Sequence, residues 1–223
     1  MKYDKSNLRI YNKNDSIVFR KTKEVYGGLS NMSAGYPVCV NDVSIRTIEA
    51  LYQACRYPSL PQIQKKIIEQ KSPMTAKMVG KPYRKSTRSD WNKIRVEVMR
   101  WCLRIKLAQN WNTFGVLLKS TAEKPIVEES NRDQFWGAKS VDDTLVGMNI
   151  LGCLLMDLRE EHKKLISATE YTVETLGIEE FYLYGKHIES FKTKISSNNN
   201  HRIDYIIKKQ KMDNYKQLDF NDK

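Results

Sequence analysis

A chain of 223 residues with a formal net charge of +12, 40% hydrophobic and 10% aromatic residues, is long enough for one sizeable core and short for two full domains. No apolar run reaches the ~20 residues of a membrane helix, so no membrane association is expected. The basic balance favours polyanionic or phosphate-bearing partners. The opening MKYDKSNLRIYNKND lacks the apolar stretch of a secretory leader, which leaves the cytoplasm as the expected location. Cys39, Cys55, Cys102 and Cys153 stand far apart in apolar patterns without a CxxC pair, as buried free thiols do. His162, His187 and His201 fall late in the chain, so neither a metal site nor a histidine triad is expected.

In chain order, "SIVFR" (16–20) predicts a strand, and "YPVCVNDVSI" a hairpin turning at Asn41-Asp42. From Thr47 the period changes. Ile48, Leu51, Tyr52 and Cys55 fall at i, i+3, i+4 and i+7, so "RTIEALYQACRY" predicts a helix. "SLPQIQKKIIEQK" offers Ser59 as cap, Pro61 in the first turn and Gln62 three after the serine, the pattern of a capping box. "SPMTAKMVGKP" repeats that grammar, with Ser72 before Pro73 and Gly80 before Pro82. Ser89-Asp90 opens the clearest helix, its stripe made of Ile94, Val98, Trp101 or Cys102, and Ile105, with Arg95, Arg100 and Arg104 on other faces. A short helix within 111–120, an extended "PIVEES" and a helix from Asn149 to about Leu165 follow. Beyond Lys164 the composition shifts: "IEEFYLYGKHI" alternates as a strand, "KISSNNNHR" reads as a polar linker and "IDYIIKKQKM" as a short amphipathic helix with a basic tail. Residues 1–164 are therefore expected to form the domain, and 165–223 an appendage.

Four groups of residues could carry chemistry. Glu49 sits one position past Ile48, about 100° round the helix at the margin of the apolar stripe. It fits a cleft carboxylate, and equally a surface glutamate paired with Gln53 or Arg56. Asp133 and Trp136, preceded by Glu128 and Glu129, occupy a loop between an extended run and a core helix, where scaffolds display functional groups. A turn-capping aspartate and a core-filling tryptophan fit the same positions. Asn149 suits a helix cap, with or without a ligand contact. In "YGGLSNMSAGYP", Gly28, Ser30 and Asn31 form a loop whose backbone could approach a phosphate or a base closely. Lys81, Arg84, Lys85 and Arg88, with Tyr83 among them, form a basic segment suited to phosphates, or simply a solvated charge run.

Together "YGGLSNMSAGYPVCV", "TIEALYQACRY", "KSPMTAKMVGKPYRK", "WNKIRVEVMRWCLRIKLAQN", "IVEESNRDQFWGA" and "VGMNILGCLLMDLRE" resemble, in order, the blocks of the NADAR (YbiA-like) family across roughly residues 17–163. The resemblance implies an α+β fold dominated by helices, with a few short strands. It further implies a cofactor-independent N-glycosidase cleaving the bond between ribose C1 and nitrogen. Its substrates would be ADP-ribose on guanine, the lesion left by DarT-type toxins, or phosphorylated riboflavin-pathway intermediates. It places Glu49 in the family's helical block, Asp133, Trp136 and Gly137 in "D-x-x-W-G", and Gly147, Asn149, Leu151 and Gly152 in "G-x-N-x-L-G". Met32 replaces the usual aromatic after "LSN", and Ala50 the usual histidine after the glutamate, which bears on substrate choice.

N-glycoside hydrolysis develops positive charge on the ribose ring, so a site needs negative charge beside C1 and a way to release the base. Glu49 is expected nearest the water, with Asp133 as the second acid. Trp136 would stack on the base or exclude solvent, Asn31 and Asn149 would bind sugar or base, and Lys85 and Arg88 would hold phosphates. The expected partners are an ADP-ribose nucleotide or ADP-ribosylated DNA and a cognate ADP-ribosyltransferase toxin. A non-catalytic ADP-ribose or NAD reader is the reading from another class; a reader would need neither acid.

Overall fold

A computed structural model describes residues 5–165 and 167–195. Blocks of short strands flank six α-helices among the described residues, in an α+β arrangement without a large sheet. Strands β1 (Arg9–Asn12) and β2 (Ile17–Phe19) precede a hairpin of β3 (Val38–Val40) and β4 (Val43–Ile45). Asn41 and Asp42 turn it at φ 51° and 63°, the left-handed pair that a two-residue hairpin requires. Helices α1 (Ile48–Ala54), α2 (Pro61–Ile68), α3 (Pro73–Val79), α4 (Trp91–Gln109) and α5 (Phe114–Ser120) follow. Then come β5 (Ile126–Glu128), β6 (Lys139–Val141), β7 (Thr144–Gly147) and α6 (Ile150–Lys164).

The centre of the molecule is α4, which packs against α1, α5 and α6. From Val98 onward it is apolar almost all round: Val98, Met99, Trp101, Cys102, Leu103, Ile105, Leu107 and Ala108 are buried. A helix buried on most of its circumference reads that way, with Arg100 and Arg104 on the face that stays accessible. Lys106 is the exception, fully buried in the same helix, with Nζ donating to the carbonyls of Gly28 at 2.6 Å and Ser30 at 3.3 Å. Nζ also lies 4.1 Å from the Phe114 ring centroid. Burial pulls its pKa down to about 7.

A parallel pair, β2 with β5, joins the N-terminal region to the segment before α6. Its approach to α6 depends on small residues. A Cβ at Gly152 would overlap the Ile126 carbonyl and the Asn149 side chain, and one at Gly147 would overlap Gly137 and Ala138. Asn149 itself stands at φ 49°, fully buried, and does not cap the helix with its side chain. Instead Nδ2 donates to Ile126 O at 2.8 Å and Oδ1 accepts from Glu128 N at 3.1 Å. The block running from Gly147 to Gly152 thus clamps β5 onto the start of α6.

Several expectations need correction. Thr47 caps α1 through the N–H of Ala50 at 3.2 Å, but the capping box at Ser59 does not form. Leu60 precedes α2, and Pro61 sets its first turn instead. Neither Ser72 nor Asp90 makes a side-chain cap bond; Asp90 is drawn off by Arg88 at 2.6 Å. Cys39 is exposed and Cys153 half-buried, leaving Cys55 and Cys102 as the buried thiols.

The C-terminal segment shares the core. Strands β8 (Glu170–Val173) and β11 (Phe191–Lys194) pair antiparallel and pack on α4, while β9 (Tyr182–Leu183) and β10 (Lys186–His187) form a tight hairpin where one strand was expected. Tyr171, Val173, Phe181, Leu183, Ile188 and Ile195 belong to the main hydrophobic cluster. The expected polar linker from Ser196 on and the helix "IDYIIKKQKM" lie outside the described residues.

Candidate active site

One cavity of about 490 Å³ opens between the N-terminus of α4, helices α1 and α3, and the loop after β5. Glu49, Asp133, Trp136, Ser30 and Asn31 all line it. The two acids, more than eighty residues apart in sequence, therefore meet in one place.

Glu49 projects from the first turn of α1 and is 6% exposed, so it is not a surface glutamate. Its Oε1 accepts from Gln53 Nε2 at 2.8 Å, and Arg56 donates to Gln53 Oε1 at 3.1 Å. Residues four and seven beyond a helical position share its face, so this relay follows from spacing. The loop carrying Ser30 and Asn31 is tied to α1 by the Glu49 N–H, which donates to Asn31 O at 3.0 Å. Lys106 holds the same loop from beneath.

Asp133 does cap a turn: Oδ1 accepts from the backbone N–H groups of Phe135 and Trp136, each at 3.0 Å. That turn-capping geometry also fixes the carboxylate at the cavity wall. Trp136 is half-buried rather than a core plug. Its ring meets Tyr52 edge-on at 5.7 Å, and Tyr52 in turn packs on Trp91 at 5.0 Å, giving the cavity an aromatic wall.

Other expected site residues are not brought to the cavity. Arg88 is committed to Asp90 and to the carbonyls of Glu179 and Glu180, at 2.6 and 3.2 Å. Its work is to hold the C-terminal segment. Lys85 sits exposed on the 3-10 segment Lys81–Ser86 and does not line the cavity. Gly28 packs beneath Tyr36 and Leu117, and Gly137 lets the Ala138 N–H reach Glu128 O at 2.8 Å. Asn149 is a clamp, as described.

In place of Lys85 and Arg88, the cavity is lined by Arg20, Arg56, Lys77 and Arg95. Arg56 lies over the Trp91 ring at 5.0 Å and Arg95 over Phe135 at 3.8 Å. The Nε atoms of both arginines and Oδ1 of Asn31 are buried without a hydrogen-bond partner among the described residues. Buried polar atoms are normally satisfied, so donors and an acceptor left open at one cavity mark where a polar ligand fits. Sequence spacing could have found Arg56, which lies in the turn just past α1 and reaches Gln53, the partner of Glu49; Arg95 is placed by spacing only as off the stripe. Glu128 also lines the cavity. Burial first, then the charges of Asp133 and Glu49, push its carboxyl up to about 7.

A model of the NADAR domain matches residues 18–163. The chain belongs to the NADAR family. The N-glycosidase YbiA of Escherichia coli is 34% identical over 148 residues, covering 66% of this chain and 89% of that protein. An N-glycosidase of Nostoc punctiforme is 31% identical, covering 69% of this chain and 97% of its own length. A riboflavin biosynthesis protein of Vibrio vulnificus is 33% identical over 65% of this chain, a match to 38% of that longer protein. The NMR structure of E. coli YbiA superposes with a TM-score of 0.58 at 33% identity, covering 67% of this chain and 86% of that one. The NADAR match ends just short of the last residue of α6, so the β8–β11 segment lies beyond it.

Proposed function

We propose that this NADAR protein is a hydrolase of N-glycosyl bonds that cleaves ribose C1 from a nitrogen, and that its substrate is ADP-ribose attached to guanine in DNA. The observation that carries the reading is the convergence of Glu49 and Asp133 on one cavity walled by Tyr52 and Trp136. Fixed carboxylates beside C1 stabilise an oxocarbenium-like ring, because preorganised charge costs no reorganisation when the bond breaks. Glu49, oriented by Gln53, holds and activates the water. Asp133, pinned by two backbone donors, supplies steady negative charge. Trp136 covers the base, and Asn31 takes a sugar or base group.

Arg56 and Arg95 are the phosphate-holding groups, replacing Lys85 and Arg88 in that role. Two arginines suit the diphosphate of an ADP-ribosyl group, and a net charge of +12 favours a nucleic-acid-borne substrate. A cognate ADP-ribosyltransferase toxin would supply it. The names of the YbiA and Nostoc relatives support the bond class. The riboflavin biosynthesis relative favours a second substrate within that class, a ribosylated aminopyrimidine phosphate. A side-by-side comparison tests the choice. The protein is incubated with an oligonucleotide bearing ADP-ribosylated guanine and, separately, with the aminopyrimidine ribosyl phosphate. Faster release of ADP-ribose supports the DNA reading; release from the small phosphate alone replaces it with the second.

A further inference from the structure

We propose that Glu128 is the acid that protonates the departing nitrogen. The inference rests on the N-glycosidase reading and assigns a group which that reading leaves open. All three carboxyls line the cavity, but their surroundings differ. Asp133 accepts two backbone N–H bonds at 3.0 Å, and Glu49 accepts the Gln53 amide at 2.8 Å. Both therefore have carboxyl oxygens already engaged by donors. The Glu128 side chain has no hydrogen bond and no ion pair among the described residues. Its main chain, by contrast, is pinned on both sides: the N–H donates to Asn149 Oδ1 at 3.1 Å, and the carbonyl accepts from Ala138 N at 2.8 Å. The backbone of Glu128 is thus fixed by the clamp of β5 on α6, which sets its side chain at the cavity wall while the carboxyl oxygens stay available for a proton and a substrate.

The charges facing it come from three sides. Asp133 lies in the following loop, Glu49 on α1 and Lys77 on α3, with Glu129 engaged by Arg20 at 3.7 Å and Arg56 and Arg95 elsewhere on the wall. The two nearby carboxylates and burial favour the neutral acid, with Lys77 opposing them. A carboxyl poised near neutrality suits general-acid work.

The step balances without a further reactant. The C1–N bond breaks with its electron pair going to nitrogen, and the Glu128 O–H proton passes to that nitrogen. Water adds its oxygen to C1 and gives a proton to Glu49. Solvent then returns a proton to Glu128 and removes the one on Glu49.

The test uses wild-type protein, Glu128→Gln and Glu128→Asp, assayed across neutral pH on both probes named above. Wild-type kcat is expected to fall as pH rises through about 7, because the protonated acid is lost. Glu128→Gln is expected to lower kcat by about 10²- to 10⁴-fold with KM little changed, and to lose that alkaline limb. Glu128→Asp should keep a limb. A Gln variant that retains the alkaline limb, or a kcat loss of under about tenfold, overturns the assignment. Should the Gln variant fail to fold, the wild-type and Asp profiles decide: a flat wild-type alkaline side overturns it. Wild-type protein inert on both probes overturns the N-glycosidase reading itself, and this assignment with it.

Discussion

Trp136 shows how one side chain separates binding from stability. Its ring is half-buried at the cavity, with Tyr52 edge-on behind it. Trp136→Ala is therefore expected to raise KM while costing less than the roughly 3–5 kcal/mol of a fully buried aromatic. A melting curve and a KM on the same preparation separate the two effects; a large fall in melting temperature with unchanged KM would return Trp136 to the core. Arg56 and Arg95 carry a parallel expectation. Removing either guanidinium should weaken binding of phosphate-bearing substrate by about 1.5–3 kcal/mol, the worth of a hydrogen bond to a charged group, whereas Lys85→Ala should leave it unchanged. Competition by free ADP-ribose measures both. Helical phase and a loop before a core helix made Glu49, Asp133 and Trp136 candidates in the sequence but left surface and core roles open; the NADAR resemblance singled them out. The phosphate-holding role of the arginines was not legible. Arg56 was legible only as a partner of Glu49, Arg95 reaches the cavity from a position defined by packing, and a basic run at 81–88 looked more suited to phosphates than isolated residues did.

Among helices and strands, the clamp between β5 and α6 has the most direct bearing on activity. Gly152 leaves room for the Ile126 carbonyl, and the Asn149 side chain bridges Ile126 and Glu128. Gly152→Ala forces its new methyl into backbone, with an expected cost of about 3 kcal/mol, the upper end of ordinary overpacking. Asn149→Ala strips partners from a buried N–H and a buried carbonyl, at about 1–3 kcal/mol for each group left unsatisfied. Denaturant titration checks both, and a stability within error of wild type would contradict the clamp. Periodicity announced α1, α4 and α6 because their buried stripes are local. It could not announce the parallel pairing of β2 with β5, whose partners lie over a hundred residues apart. Nor could it distinguish Asn149 as a helix cap from Asn149 as a bridge, since both need a small polar residue at a helix start.

The body as a whole fastens the segment beyond the NADAR match to α2 and the residues leading into α4. Gln64 holds Tyr182 O at 2.9 Å and the Tyr184 N–H at 2.7 Å, while Arg88 holds Glu179 and Glu180. A chain ended after Lys164 would uncover Trp101, which packs on Phe181 at 4.9 Å. It is expected to melt well below the full-length protein in calorimetry; an unchanged melting temperature would show the segment to be dispensable. Composition shifts at 165 suggested an appendage, because core membership carried by strands of two to four residues leaves little periodic trace.

Stability against pH tests two buried groups of opposite sign. His162, whose ring nitrogens have no hydrogen-bond partner among the described residues and whose ring packs on Trp111, has its pKa lowered by burial from 6.5 to about 4. Between those values the unfolded chain binds the extra proton, so acidification removes stability. Glu128 is raised from 4.5 to about 7; the folded state binds the extra proton there, so acidification adds stability. His162→Leu should make the acid-side decline shallower, and Glu128→Gln should make it steeper. Melting temperatures measured from neutral to mildly acidic pH check both slopes.

The convergence of Glu49 and Asp133 is tested most directly by sugar release from Glu49→Gln. The variant is matched to wild type by circular dichroism and melting temperature, then given the N-ribosyl substrate that wild type cleaves. Loss of an oriented water should lower the rate by about 10²- to 10⁴-fold, the range for a removed acid or base. A rate equal to that of wild type would contradict the account.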